Sequence, residues 1–226
     1  QENHSVLRTL FPLDINAESA TFDIQFGHLE RPTHANTSWD RAKFESCGHK
    51  FVDISENGYG VALLNDCKYG HSVYDNVLGL TLLRSPSFPD PSCDRGKHAF
   101  TYALFPHGSD PGKASVEKMS YILNNGLKVC KAGGGGERTE FSFVSCSDET
   151  INIPAVKLSE DGKAYIVRLV ETNNSRHDFL LRFAFPIKEA YSCDLMENPL
   201  GPVAVADNSI RAEIGPFKIL TYKVYL

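Results

Sequence analysis

Three segments in the first half of the chain concentrate side chains that can bind a polar ligand. The first, residues 27–40, holds the only tryptophan, Trp39, and also His34, among other hydrogen-bonding residues. An indole beside polar neighbours suits a pyranose, because a sugar ring has an apolar face and a rim of hydroxyl groups. The structural alternative is a tryptophan that closes the end of a hydrophobic core.

The second segment, residues 64–70, leaves an apolar run and turns at Gly70. Asn65 and Asp66 stand at the start of this turn, and short side chains of this kind accept hydrogen bonds from nearby backbone N–H groups. We predict that Asp66 caps the turn, and we retain both residues as candidates for lining a ligand pocket.

The third segment, residues 80–96, places Arg84 at the end of an apolar run and Arg95 directly after Asp94. A guanidinium donates hydrogen bonds to a planar anion or to a pair of hydroxyl groups, so both arginines are pocket candidates. The alternative for Arg84 is an ion pair with Asp90 or Asp94.

Carboxylates are available, but the sequence does not pair them. Glycoside hydrolysis needs two carboxyl groups, about 5–9 Å apart across a sugar. A turn, a cap or a solvated surface is the simpler role for each carboxylate in the first half of the chain. These residues are Asp40, Glu45, Asp53, Asp66, Asp90 and Asp94. We therefore assign no catalytic residue to this chain.

The sequence also offers no metal site and no nucleophile motif. His28 and His34 flank a proline-containing loop without an identifiable third ligand. The six cysteines are dispersed and never form Cys-x-x-Cys, which argues against zinc and predicts free thiols. No Gly-x-Ser-x-Gly is present. The glycine tract at 133–136 lacks the Lys-Ser/Thr of a phosphate-binding loop and predicts a flexible connection.

Charge and hydropathy exclude two classes of partner. The formal net charge is −5 and no basic stripe is visible, which argues against nucleic acid. No apolar run approaches the ~20 residues that span a bilayer. The polar start, Gln1–His4, is not a secretory signal, and a start without Met fits a fragment or a processed product.

Short β-type runs between turn residues must position these segments, and they predict an all-β chain. One stretch is helical by its spacing, 115–123, with Ser115 as its cap. We place a large antiparallel β-sandwich at 1–147 and a smaller one at 148–226. The predicted strands are 6–11, 20–26, 43–54, 59–64, 77–84, 98–105, 140–145, 164–171, 178–185, 209–214 and 217–226.

Taken together, the three segments resemble the C-terminal region of a glycoside hydrolase family 38 α-mannosidase of the cytosolic (neutral) type. Each piece alone is weak, but their joint match covers nearly the whole chain. The matching stretches are Phe26–His34, Asn36–Asp40, Lys50–Asp53, Leu63–Gly70, Leu82–Pro86, Phe100–Leu104, Pro106–His107, Cys193–Pro199 and Pro216–Phe217. Asp66 is followed by Cys67, where lysosomal and Golgi relatives would carry Arg, and this favours the cytosolic branch.

The resemblance implies a retaining enzyme that removes terminal non-reducing α-D-mannose residues from mannose-containing oligosaccharides. Its aspartate nucleophile and its zinc, held by His and Asp residues, would belong to an upstream α/β barrel and helical segment. The chain would be the galactose-mutarotase-like sandwich that completes the pocket wall, together with the smaller β domain, in the cytoplasm. It would hold no zinc ligand and would be inactive alone.

Two other functions remain open from the sequence. The chain is alternatively a stand-alone carbohydrate-binding sandwich, or a mutarotase-like sugar epimerase. The epimerase requires a histidine acid and a carboxylate base in one cleft. His98 and His107 are available, but the sequence identifies no partner base for either.

Overall fold

A computed structural model describes residues 5–108, 112–131, 133 and 140–226, so most of the predicted loop at 133–136 lies outside the described residues. The chain divides into two compact units, Gln1–Leu127 and Lys128–Leu226. The boundary predicted from the sequence is at 147. The difference arises from the short strand Val144–Cys146, which pairs with a strand of the second unit.

In the first unit, two antiparallel sheets face each other. The strands are β1 (Leu7–Pro12), β2 (Ser19–Ile24), β3 (Gly27–Pro32), β4 (Ser46–Cys47), β5 (Phe51–Glu56), β6 (Tyr59–Asn65), β7 (Gly70–Tyr74), β8 (Val77–Leu83) and β9 (Tyr102–His107). The sheet orders are β1-β8-β7-β4 and β3-β2-β5-β6-β9. Two helices accompany them, α1 (Ser38–Ala42) and α2 (Gly112–Asn124).

Period-two alternation decides which side chains enter the core of this unit. Val52 and Ile54 of β5 point between the sheets, where they meet Leu80 of β8. In the sheet β3-β2-β5-β6-β9, the face that points away from this core is covered by α2. The fully buried Val116 of α2 packs there against Phe51 and Leu64. Because both faces of β6 are covered, its residues from Gly60 to Asn65 are all buried.

The second unit is a β-sandwich as well. Its strands are β10 (Val144–Cys146), β11 (Ile151–Leu158), β12 (Tyr165–Glu171), β13 (His177–Phe183), β14 (Glu189–Cys193), β15 (Pro199–Val203), β16 (Val205–Ala206), β17 (Ser209–Ile214) and β18 (Ile219–Tyr225). The sheet orders are β10-β13-β17-β16 and β11-β12-β18-β14-β15. Val167 and Leu169 of β12 meet Leu181 and Ile210 of the facing sheet in one core.

The predicted all-β class is confirmed, with antiparallel pairing between neighbouring strands. The helix is also present, but Ser115 is not its cap, because α2 begins at Gly112. All six cysteines are free thiols. Among the described residues, no helix is long and apolar enough to cross a membrane.

Candidate functional site

Asn65, the last residue of β6, organises the turn that follows this strand. Its side-chain oxygen accepts hydrogen bonds from the backbone N–H groups of Cys67 at 3.1 Å and Lys68 at 2.6 Å. Its amide nitrogen donates to the His49 carbonyl at 2.7 Å. Asn65 is therefore the capping residue, and the prediction that Asp66 caps the turn is wrong. Asp66 is exposed instead, and hydrogen bonds from the Cys67 thiol and the Thr101 backbone hold its pKa below the ordinary value.

Where this turn ends, the carboxylate of Glu45 lies against the backbone of Gly70. A Cβ at position 70 would stand 2.3 Å from Glu45 Oε1, so the glycine is what allows the close approach. Pairing of β4 with β7, with Cys47 opposite Gly70, brings the two residues together. Glu45 Oε1 is buried and accepts no hydrogen bond from the described residues.

The other Glu45 oxygen faces Arg84, just beyond the end of β8. Glu45 Oε2 lies 3.6 Å from Arg84 Nη1, and the arginine side chain is 69% exposed. Asp94 does not pair with this guanidinium. Its Oδ2 instead accepts the backbone N–H groups of Arg84 at 3.2 Å and Ser85 at 2.7 Å. The sequence alternative of an Arg84 ion pair with Asp90 or Asp94 is thus replaced by a pair with Glu45.

Glu45 and Arg84 line a depression of about 380 Å³, which we call the Arg84 depression. Its lining combines hydrogen-bond donors and acceptors, because the Glu45 carboxylate and the Arg84 guanidinium lie beside the exposed phenol ring of Tyr69. Such a mixture of donors, acceptors and an aromatic ring suits a polyhydroxyl ligand. The lining residues are Glu45, Cys67, Lys68, Tyr69, Gly70, Thr81, Leu82, Leu83, Arg84, Pro86 and Asp94.

The depression has binding chemistry rather than the free carboxyl pair of a glycosidase. Asp94, the second carboxylate of the lining, accepts two backbone N–H groups through Oδ2, and its Oδ1 lies 3.9 Å from the Cys93 thiol. Glu45 faces Arg84 through Oε2, and its Oε1 is buried. The residues that line the depression are therefore able to bind and orient a ligand, and they include no acid–base pair for hydrolysis.

Trp39 and His34 do not line this depression. Trp39 belongs to α1, whose first turn is capped by reciprocal hydrogen bonds between Thr37 and Asp40. Trp39 is 79% exposed, so it does not close the core, which was the structural alternative. His34 lies with its Nδ1 3.9 Å from Asp40 Oδ2 and lines a separate cavity of about 510 Å³. Arg95 lines a third cavity, of about 670 Å³, with Asp94.

Glu45 was not among the six pocket candidates, although it shapes the depression. The signal was hidden because β4 has only two residues, and a strand of that length leaves no periodic pattern. Lys68 and Tyr69 were within reach of sequence reasoning, since they belong to the turn already singled out. Lys68 Nζ lies 5.0 Å from the centre of the Phe100 ring.

A buried pair on the first unit bears on the epimerase alternative. His107 Nε2 lies 2.8 Å from Asp53 Oδ1, which is the acid–base contact that the sequence did not identify. The two side chains are 6% and 3% exposed, however, so a sugar cannot reach them in this conformation. The pair stabilises the fold rather than forming an open cleft.

In the second unit, Ser175, His177 and Asp148 have the spacing of a nucleophilic triad. Ser175 Oγ lies 2.5 Å from His177 Nε2, and His177 Nδ1 lies 2.8 Å from Asp148 Oδ2. Glu171 Oε1 lies 3.4 Å from the same hydroxyl and 3.9 Å from the same ring nitrogen. A second carboxylate at this point opposes the negative charge that an activated serine develops. We interpret the cluster as a cross-link between chain segments.

Within the described residues, no group of three or more His, Cys, Asp and Glu side chains could hold a metal ion.

Comparison with known proteins adds to this geometry. Two family profiles match, "Glycosyl hydrolases family 38 C-terminal domain" over residues 1–92 and "Glycosyl hydrolases family 38 C-terminal beta sandwich domain" over residues 150–222. The alpha-mannosidase 2C1 of Homo sapiens is 41% identical over 230 residues, which is 100% of this chain and 22% of that protein. The alpha-mannosidase G of Dictyostelium discoideum is 40% identical, over 98% of this chain and 21% of that protein.

Solved structures show the same fold. The crystal structure of an alpha-mannosidase from Enterococcus faecalis V583 superposes with a TM-score of 0.79 and 19% identity, over 96% of this chain and 25% of that one. A second structure, of a protein in glycosyl hydrolase family 38 from Enterococcus faecalis, superposes with a TM-score of 0.76 and 20% identity, over 96% of this chain and 26% of that one. The chain spans about a fifth of the length of the two curated relatives, alpha-mannosidase 2C1 and alpha-mannosidase G.

Proposed function

The chain belongs to glycoside hydrolase family 38, as its two C-terminal β domains, and we propose that it is the sugar-contacting, structural end of an α-mannosidase. The complete polypeptide would hydrolyse terminal non-reducing α-D-mannose residues with retention of configuration. Relatives named alpha-mannosidase align with the whole chain through only 21–22% of their own length, which supports a larger parent protein.

The observation that carries the proposal is the contact between Glu45 and Arg84. It places an exposed guanidinium and a carboxylate with an uncommitted oxygen beside Tyr69, in one depression. In the complete enzyme this depression would form part of the wall of the mannose pocket. Arg84 would donate hydrogen bonds to sugar hydroxyls, and Glu45 would hold the guanidinium in place.

The nucleophile and the zinc would be supplied by the upstream barrel and helical segment. When bound there, zinc would grip hydroxyl groups of the sugar. The residues of this chain would bind and orient the mannoside, and they would exclude water from one side of the pocket.

A cytoplasmic location is part of the proposal. It is supported by six free cysteines, four of them exposed, since exposed thiols persist in a reducing compartment. Two matching relatives, from Homo sapiens and Mus musculus, carry the name alpha-mannosidase 2C1.

A stand-alone carbohydrate-binding module would use the same depression, so the two functions must be separated by experiment. Titration of the isolated chain with methyl α-mannoside, followed by NMR, tests them. As one wall of a larger pocket, the chain should bind this sugar weakly or undetectably. Saturable binding that Arg84→Ala abolishes would favour the stand-alone module.

A further inference from the structure

The cavity beside α1 is strongly basic, although the chain as a whole has a net charge of −5. We call it the α1 cavity. Its volume is about 510 Å³, within the range of small-molecule sites. Four permanently charged cations line it, Arg8, Arg31, Arg41 and Lys43, and Asp40 is the carboxylate of the lining. No lining residue is shared with the Arg84 depression.

Asp40 carries a single negative charge, which offsets at most one of the four cations. Its Oδ2 accepts the backbone N–H of Thr37 at 3.0 Å and the hydroxyl of the same residue at 2.7 Å. His34, at 3.9 Å, is the basic group that the structure pairs with it. Among the described residues, none of the four cations forms an ion pair within 4.0 Å. The cavity therefore keeps its excess positive charge.

Two of the four cations have donors that are buried without a partner. Arg8 Nε and Arg31 Nε are both inaccessible to solvent, and neither donates a hydrogen bond within the described part of the chain. The other contacts of these guanidinium groups are with neutral groups. Arg8 Nη2 donates to Ser72 Oγ at 2.5 Å, and Arg31 lies 5.3 Å from the centre of the Phe22 ring. Because these Nε atoms are closed to solvent, an anion in the cavity would reach the half-exposed Arg8 and Arg31 through their terminal Nη groups, as charge-assisted hydrogen bonds.

The remaining walls are apolar. Leu10, Phe22 and Val77 line the same space. Burial lowers the pKa of His71, another lining residue, to about 4, so this ring is neutral at pH 7. A cavity that combines cationic hydrogen-bond donors with apolar side chains is suited to a small organic molecule that carries an anionic group.

We propose that the α1 cavity binds a small organic phosphate, with the phosphate held by Arg8 and Arg31. A phosphate monoester carries nearly two negative charges at pH 7 and three acceptor oxygens, so it can serve several cations at once. A carboxylate carries one charge and would leave more of the donors unmatched. The proposal concerns residues outside the Arg84 depression and does not depend on the mannosidase assignment.

The test is calorimetric titration of the full 226-residue chain at constant ionic strength. The probes are inorganic phosphate, a hexose 6-phosphate, the uncharged hexose and glucuronate, which carries a carboxylate on a hexose frame. We expect saturable binding of the hexose 6-phosphate, at least tenfold weaker binding of glucuronate, and no binding of the uncharged hexose. Inorganic phosphate should bind and should compete with the hexose 6-phosphate.

Variants then locate the site. Arg8→Gln and Arg31→Gln should each weaken hexose 6-phosphate binding by about tenfold, because each removes a charge-assisted donor. Arg182→Gln alters an exposed arginine of the second unit and should leave the affinity unchanged. Arg31→Lys keeps the charge without the planar fork and should bind more tightly than Arg31→Gln. Circular dichroism confirms that each variant is folded.

Absence of phosphate binding by the folded wild-type chain would overturn the proposal. Equal affinities for the wild type, Arg8→Gln and Arg31→Gln would overturn it as well, because the phosphate would then bind elsewhere. Tighter binding of glucuronate than of the hexose 6-phosphate would contradict the choice of phosphate.

Discussion

Arg84 Nη1 lies 3.6 Å from Glu45 Oε2, although five strands, β4 to β8, separate the two residues along the chain. The contact joins an exposed guanidinium to a mostly buried carboxylate at the rim of the Arg84 depression. Because the guanidinium is 69% exposed, solvent screens the pair, and such a contact typically adds only ~0–1 kcal/mol to stability.

Replacement of Arg84 by Ala should therefore affect activity more than folding. One charge-assisted hydrogen bond in a water-poor pocket contributes ~1.5–3 kcal/mol, and each ~1.4 kcal/mol is tenfold in rate. In the complete enzyme, kcat/KM should fall by about ten- to a hundredfold, with a nearly unchanged melting temperature. Arg211→Ala, an exposed arginine of the second unit, is the control. A near-normal kcat/KM with lost stability would assign Arg84 a structural role.

A methyl group at position 70 should displace the Glu45 carboxylate in the same depression. In Gly70→Ala the new Cβ would lie 2.3 Å from Glu45 Oε1 and 3.3 Å from Thr81 Cβ, so the carboxylate must move away from Arg84. We expect kcat/KM of the complete enzyme to fall as in Arg84→Ala, with a stability loss of about 1–3 kcal/mol. The control is Gly201→Ala, because a Cβ at position 201 meets nothing within 4 Å. Unchanged kinetics in Gly70→Ala would show that the position of Glu45 is immaterial.

Deprotonation of the buried Asp23 should lower the unfolding free energy of the first unit as the pH rises from about 4 to 6. This side chain is 3% exposed, and burial raises its pKa to about 6 against the counteracting effect of Lys50. Between the unfolded and folded pKa values the folded state holds a proton that the unfolded state has released, so stability falls with pH and then levels off. From pH 4 to pH 7, the unfolding free energy of Asp23→Asn relative to wild type should rise by roughly 2–3 kcal/mol.

Urea unfolding, followed by circular dichroism at both pH values, measures this difference. Asp178→Asn, at an exposed site in the second unit, serves as the matched control. If the relative stability of Asp23→Asn were the same at pH 4 and pH 7, the buried carboxyl group would not titrate as described.

The buried pair of His107 and Asp53 should have its own pH dependence. The hydrogen bond to Asp53 raises the pKa of His107 above its ordinary value. The stabilising effect is therefore complete below the unfolded pKa of ~6.5 and is lost as the pH rises through the folded pKa. His107→Gln should cost about 3 kcal/mol at pH 6 and less at pH 9. Thermal unfolding at both pH values tests this, with exposed His98→Gln as the control; an equal cost at both would rule out a charged His107 at pH 6.

Sequence reasoning reached the fold through alternation. The strand predicted at 164–171 is β12, Tyr165–Glu171, and its alternate residues Val167 and Leu169 lie in the core of the second unit. Where alternation is absent the prediction fails. The segment 43–54 is predicted as one strand, but it contains the end of α1's final turn, the two-residue β4 and most of β5.

The site was predicted only in part, because its geometry depends on contacts distant in sequence. The Asn65–Gly70 turn and Arg84 were identified from their polar residues at strand ends. Nothing local distinguishes Glu45 from other surface carboxylates, since its position follows from β4 pairing with β7. Asn65 and Asp66 both have short side chains that can cap a turn, so the sequence does not distinguish them. In the structure the side-chain oxygen of Asn65 accepts the N–H groups of Cys67 and Lys68.

The measurement that tests the central claim most directly is release of 4-nitrophenol from its α-mannoside, with the β-mannoside as control and zinc present or absent. The complete polypeptide should hydrolyse the α-mannoside and leave the β-mannoside intact. The purified chain 1–226 should hydrolyse neither substrate under either condition, because in the proposed function it supplies one wall of the pocket and the nucleophile lies upstream. Turnover by the isolated chain above that of a mock purification, or an inactive complete polypeptide with zinc, would contradict the account.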